Sequence, residues 1–84
     1  MNEMVLRNEI MNQMHRADGP LSNIIYNMIQ YEMEYNWATN KFQIEVSKAK
    51  TEYFRENPNE YNGIIEGTNV HWEYDMYNLI VWIE

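Results

Sequence analysis

Apolar positions in this chain recur first with helical spacing. Leu6, Ile10, Met14 and Ala17 fall at i, i+4, i+8 and i+11, widened by Met4 and Met11, which predicts a helix over residues 2–17. Asp18, Gly19 and Pro20 interrupt that pattern, and Pro20 suits the first position of a second helix capped by Asp18 or Gly19. From Leu21 to Trp37 one stripe runs through Leu21, Ile24, Ile25, Met28, Tyr31 and Tyr35, and another through Tyr26, Ile29, Met33 and Trp37. A helix apolar on two sides is a central one. The end of this segment has a competing period: Tyr31, Met33, Tyr35 and Trp37 alternate with Glu32, Glu34 and Asn36, as in a half-buried strand that would pair with Phe42, Ile44 and Val46. The helix is preferred, because residues 40–56 read as a helix in their own right.

In that third segment Phe42, Val46, Ala49 and Tyr53 fall at i, i+4, i+7 and i+11, and Lys41 with Glu45 and Lys48 with Glu52 form i, i+4 pairs. Asn40 with Gln43 resembles a capping box, and Pro58 stops the pattern at Asn57. Residues 57–69, with Pro58, Gly63 and Gly67, read as a loop with a short extended piece at Ile64 and Ile65. Residues 70–84 fit two descriptions. As a helix, Val70, Tyr74, Tyr77 and Val81 line up behind an Asn69 cap. As a hairpin, Val70, Trp72 and Tyr74 alternate with His71, Glu73 and Asp75 before the β-forming run Leu79–Ile83. The helix is preferred by a small margin. The expected fold is therefore mainly α, a bundle of three to four helices, with α+β carrying a C-terminal β-hairpin as the alternative.

Composition narrows the class. Eighty-four residues support one domain spanning 1–84, since two cores would each fall below the roughly 40 residues at which chains need metals or disulfides. With 45% hydrophobic residues the chain can fold, and its polar character comes from twelve Asn and thirteen acids. It has no cysteine, which fits a reducing compartment, and a cytoplasmic location is expected. The longest apolar run, Leu79–Ile83, is far short of the ~20 residues that span a bilayer, and no signal-peptide pattern opens the sequence.

Charge is unevenly placed. Residues 1–55 carry seven acids against six bases, whereas residues 56–84 carry six acids and no Lys or Arg, so most of the net charge of -7 lies in the acidic C-terminal third. An anionic chain is repelled by nucleic acid and anionic lipid, so its expected partner is a basic protein surface, such as that of a nucleic-acid-binding protein.

Little in the sequence points to catalysis. Ser22 and Ser47 lie beside no histidine, the pairs Glu32 with Glu34 and Glu73 with Asp75 lack the cleft an acid–base site needs, and there is no phosphate-cradling glycine motif. His71, Glu73 and Asp75 would share one side of a strand as potential cation ligands, but they read more simply as a solvated polar face. No enzyme, metal or cofactor is expected. Seven Tyr and three Trp exceed what so small an interior encloses, so some should serve as interface anchors.

Taken together these features suggest a non-enzymatic inhibitor or adaptor that mimics nucleic acid in a basic groove. Glu60, Glu66, Glu73, Asp75 and Glu84 would stand in for phosphates, with Trp72 and Tyr74 as anchors beside them. The preference for Asn, Ile, Tyr, Met and Glu over Gly, Pro and Ala is typical of AT-rich coding sequence. In size, acidity and this composition the chain resembles small phage-encoded anti-restriction and anti-CRISPR inhibitors, a likeness carried by no motif. The alternative is a structural or regulatory homo-oligomer in which Tyr26, Trp37 and the C-terminal aromatics bury against a second copy.

Overall fold

The computed structural model describes residues 2–45, 62–75 and 77–84. Two helices come first, α1 (Glu3–Ala17) and α2 (Pro20–Tyr31), followed by five strands: β1 (Glu34–Asn36), β2 (Lys41–Glu45), β3 (Asn62–Ile64), β4 (Val70–Tyr74) and β5 (Asn78–Ile83). The strands form one antiparallel sheet in the order β1-β2-β5-β4-β3. The architecture is α+β, which corrects the expected helical bundle of three to four helices.

The helices form where the sequence signals them. Asn2 caps α1 by accepting the Val5 N–H at 3.2 Å, and Asp18 ends it in the left-handed region at φ 47°. One turn later Ser22 Oγ accepts the Gly19 N–H at 2.6 Å and donates to the Gly19 carbonyl at 2.8 Å, fixing the entry to α2 ahead of Pro20.

The helical readings beyond α2 fail for a common geometric reason. In a helix, residues two apart point about 200° from each other, so a stripe through Phe42, Val46 and Ala49 would leave Ile44 outside. As strand β2, the chain buries both Phe42 and Ile44, at 1% and 7% exposure. Burying each such side chain is worth about 1.5–3 kcal/mol, against ~0.2–0.5 kcal/mol for a helical Lys41–Glu45 pair, so burial decides the conformation. The remainder of the expected third helix, residues 46–56, lies outside the described residues. The same logic governs the C-terminus, where a helical stripe through Val70, Tyr74, Tyr77 and Val81 would turn Trp72 and Leu79 outward. The β4–β5 hairpin buries Val70, Trp72, Leu79 and Val81 together, each at 5% exposure or less.

The second helix also stops earlier than its apolar stripes suggest. Glu32 and Met33 both donate their N–H groups to the Met28 carbonyl, at 2.8 and 2.9 Å, after which Met33 and Tyr35 turn to the core as the chain enters β1. Tyr35 pairs with Phe42 across the β1–β2 hairpin, as the two-residue period implied. The turn is closed by Asn40 at φ 58°, whose side chain accepts the Tyr35 hydroxyl proton at 2.7 Å.

Both helices lie on one face of the sheet. Ile10, Met14, Ile25 and Ile29 meet Phe42, Val70, Leu79 and Val81, all at 1% exposure or less, and α1 packs across β4 and β5. Of the methionines in the apolar stripes, Met14, Met28 and Met33 are buried, Met11 is partly so, and Met4 is 61% exposed. Two polar side chains of α1 tie the layers together. Arg7 donates to the carbonyls of Ile29 and Met33 at the end of α2, and its guanidinium lies 4.8 Å from the Phe42 ring centre. Gln13, buried in the same interface, accepts the Asn69 N–H at 2.8 Å and thereby fixes the β3–β4 turn.

Candidate protein-binding face

A two-residue period in every strand gives the sheet a second face, turned away from the helices. Lys41, Gln43 and Glu45 point there from β2, Ile80 and Trp82 from β5, His71 and Glu73 from β4, and Glu34 and Asn36 from β1. Register aligns them in rows across the strands. Glu34 faces Gln43, Gln43 faces Ile80, Ile80 faces Glu73 and Glu73 faces Asn62, so one row holds two carboxylates three strands apart. With strands ~4.8 Å apart, those two acids are about 14 Å from each other.

The neighbouring row is built around Trp82. Lys41 Nζ sits 4.0 Å above the centre of its ring, while the His71 imidazole stacks on it at 5.4 Å with 13° between the planes. His71 Nε2 in turn lies 3.3 Å from a carboxylate oxygen of Glu84. Lys41 is thus held over an aromatic face, where it keeps its charge. Around this aromatic centre the open face carries Glu34, Glu45, Glu73 and Glu84, all exposed, with Lys41 its one lysine among the described residues.

The structure distributes the sequence-predicted residues unevenly. Glu73 and Glu84 are on the open face. Glu66 lies exposed in the turn between β3 and β4, at the same end of the sheet as Glu84, whose N–H donates to the Asn69 carbonyl at 3.2 Å. Asp75 occupies the opposite end, in the β4–β5 turn, where its carboxylate accepts the N–H groups of Tyr77 and Asn78 at 2.9 and 2.6 Å. Those amides, Asn78 first and then Tyr77, hold its pKa below the ordinary carboxylate value. Trp72, expected as a surface anchor, is 5% exposed and points to the helices, its indole packed over Gly63. A Cβ at Gly63 would come 3.3 Å from the indole nitrogen, so the glycine makes room for the ring. Tyr74 shares that inner face and packs half-buried against the core. Glu60 lies outside the described residues.

Three contributors were not among the expected partner-binding residues: Glu34 and Glu45 from the nearly neutral first two-thirds of the chain, and Trp82. The signal for Glu45 was present in the alternation of Lys41, Gln43 and Glu45 with Phe42 and Ile44. It was masked by the helical spacing of the same segment. The candidate ligand set of His71, Glu73 and Asp75 does not assemble, since His71 turns to Glu84 and Asp75 is held in its turn; no group of three such side chains converges among the described residues.

Two depressions border the face. One of about 370 Å³ is floored by His71, Trp72 and Trp82 beside β3, and one of about 280 Å³ lies between Glu32, Glu34, Gln43, Glu45 and Asn78. A third cavity of about 600 Å³, between the α1–α2 turn and β3, has Glu66 as its one titratable side chain. Among the described residues no helix is long and apolar enough to cross a membrane. No family model matches the chain, and comparison with curated proteins and with solved structures finds nothing similar to it.

Proposed function

We propose that this chain is a non-enzymatic acidic binding protein that docks the open face of its sheet onto a basic groove of another protein. In its strongest form the partner is a nucleic-acid-binding protein, and the carboxylates occupy sites that phosphates would otherwise fill. One observation carries the reading: Glu34, Glu45, Glu73 and Glu84 share one exposed face of the sheet with Trp82, and Lys41, which lies over the indole, is the one lysine on that face among the described residues. Acids drawn from three strands and from the chain's end share one surface although the sequence separates them by up to fifty residues. Acids carried on paired strands suit a partner whose cations are spread over a groove, because the backbone that holds them is already ordered before docking. Trp82 supplies the desolvating aromatic centre and the acids the steering rim.

The test is capture at graded salt. The immobilised protein should retain a basic, nucleic-acid-binding protein from bacterial lysate, retention should fall as salt rises, and added duplex DNA should compete. The variant with Glu34, Glu73 and Glu84 replaced by Gln should lose it. Retention that survives both the triple replacement and high salt would rule the proposal out.

A further inference from the structure

The open face ends at an exposed strand edge that carries its own recognition features. β1 is the terminal strand of the sheet and pairs only with β2 among the described residues. It is flanked by the two most exposed aromatic side chains of its surroundings, Tyr31 at the end of α2 and Trp37 directly after Asn36, at 84% and 71% exposure. Between them stand Glu32 and Glu34, both exposed and neither paired with a cation among the described residues. The same two acids wall the 280 Å³ depression that continues onto the open face beside Glu45.

We infer that β1 accepts an extended, arginine- or lysine-bearing segment of the partner as a sixth strand. Main-chain hydrogen bonds to an edge strand supply affinity, and side chains on alternate faces supply selectivity. Residues of the added strand that share a face with Glu34 would lie against Glu32 and Glu34, where only cationic side chains are matched. Those on the other face would meet Tyr35 and the flanking Tyr31 and Trp37, which favour apolar ones. A second copy of this chain is the poorer occupant, because it would bring the same uncompensated acids to both sides of the junction. The inference deepens the proposed function by naming how the partner engages, and it rests on that reading.

The probe is a short synthetic peptide alternating arginine and valine, titrated into the full chain and followed by amide chemical shifts. Saturable binding that moves the Glu34, Tyr35 and Asn36 amides, is lost when alternate peptide nitrogens are methylated, and weakens about tenfold in the Glu32→Gln, Glu34→Gln double variant would establish it. Equal binding by the methylated peptide, shifts confined to other strands, absence of saturable binding, or movement of the same amides on concentrating the protein alone would each overturn it. Absence of saturable peptide binding alongside intact, salt-sensitive lysate capture would sink the edge inference while sparing the face.

Discussion

Arg7 is the side chain whose removal the structure makes most costly for its size. Its guanidinium donates to the carbonyls of Ile29 and Met33, pairs with Glu3 at 3.2 Å, and stacks on Phe42, with only 17% of the side chain exposed. These carbonyls lie in the last turn of α2 and just beyond its end, and each charge-assisted hydrogen bond is worth about 1.5–3 kcal/mol. The cation–π contact adds roughly 0.5–1 kcal/mol and the helical ion pair a few tenths. Because these contacts share one group they do not sum, and Arg7→Ala should cost about 3 kcal/mol. A chain of this length has a total stability of roughly 4–13 kcal/mol, so the loss is a large share of it. The urea midpoint should fall by about 2 M and the thermal midpoint by more than about 10 °C. Arg7→Lys keeps the charge but cannot span both carbonyls, and should fall between wild type and Ala. Amide exchange should quicken first at Tyr35 and Phe42, since Arg7 holds the entry to the β1–β2 hairpin. An Arg7→Ala protein within about 0.5 kcal/mol of wild type would refute the reasoning and mark the guanidinium as a solvated surface group.

Gln13→Leu should destabilise by about 0.5–1.5 kcal/mol, because it removes the part-buried hydrogen bond from the Asn69 N–H; an unchanged urea midpoint would show that the β3–β4 turn does not depend on this bond. Gly63→Ala should cost about 1 kcal/mol, the crowding against the Trp72 indole outweighing the entropy gained in the unfolded chain. A more stable Gly63→Ala protein would mean that the indole shifts freely. Asp75 has a lowered folded-state pKa, so its contribution to the β4–β5 turn is fully present above its ordinary value of 3.8 and is lost as pH falls through the depressed one. Stability of wild type relative to Asp75→Ala should therefore be constant from neutral pH down to about that value and shrink only below it; a difference already vanishing near neutrality would contradict this.

How much of this was legible beforehand depended on which period each segment carried. α1 and the start of α2 were readable because breakers and apolar stripes agree there: Asp18, Gly19 and Pro20 fall at the observed break, whereas stripes running on to Trp37 hid the end of α2 at Tyr31. Residues 41–45 and 70–83 satisfy helical and strand periods at once; local ion pairs tipped the first toward a helix, and the Asn69 cap tipped the second. What settled them was tertiary: only a sheet places Phe42 and Ile44, or Val70 and Trp72, on the same side of the chain. The candidate face inherited that error. Trp72 was read as an anchor because its outward or inward direction depends on the strand's register, while Trp82, five strand positions into the hairpin's return, is the indole on the open side. Acidity near the C-terminus was visible from counting, but the arrival of Glu34 and Glu45 beside Glu73 follows from β2 pairing with β5, a contact between distant segments that no local pattern encodes.

If the proposed function holds, the sheet's open surface, rather than the helical layer, meets the basic partner. Hydrogen exchange of the complex with whichever basic protein is captured tests it most directly. Protection should appear over Lys41–Glu45, His71–Glu73 and Asn78–Glu84, leaving the outer side of α1 at Asn8, Asn12 and His15 as exchangeable as in the free chain. Protection centred on α1, with the three strands unchanged, would contradict it.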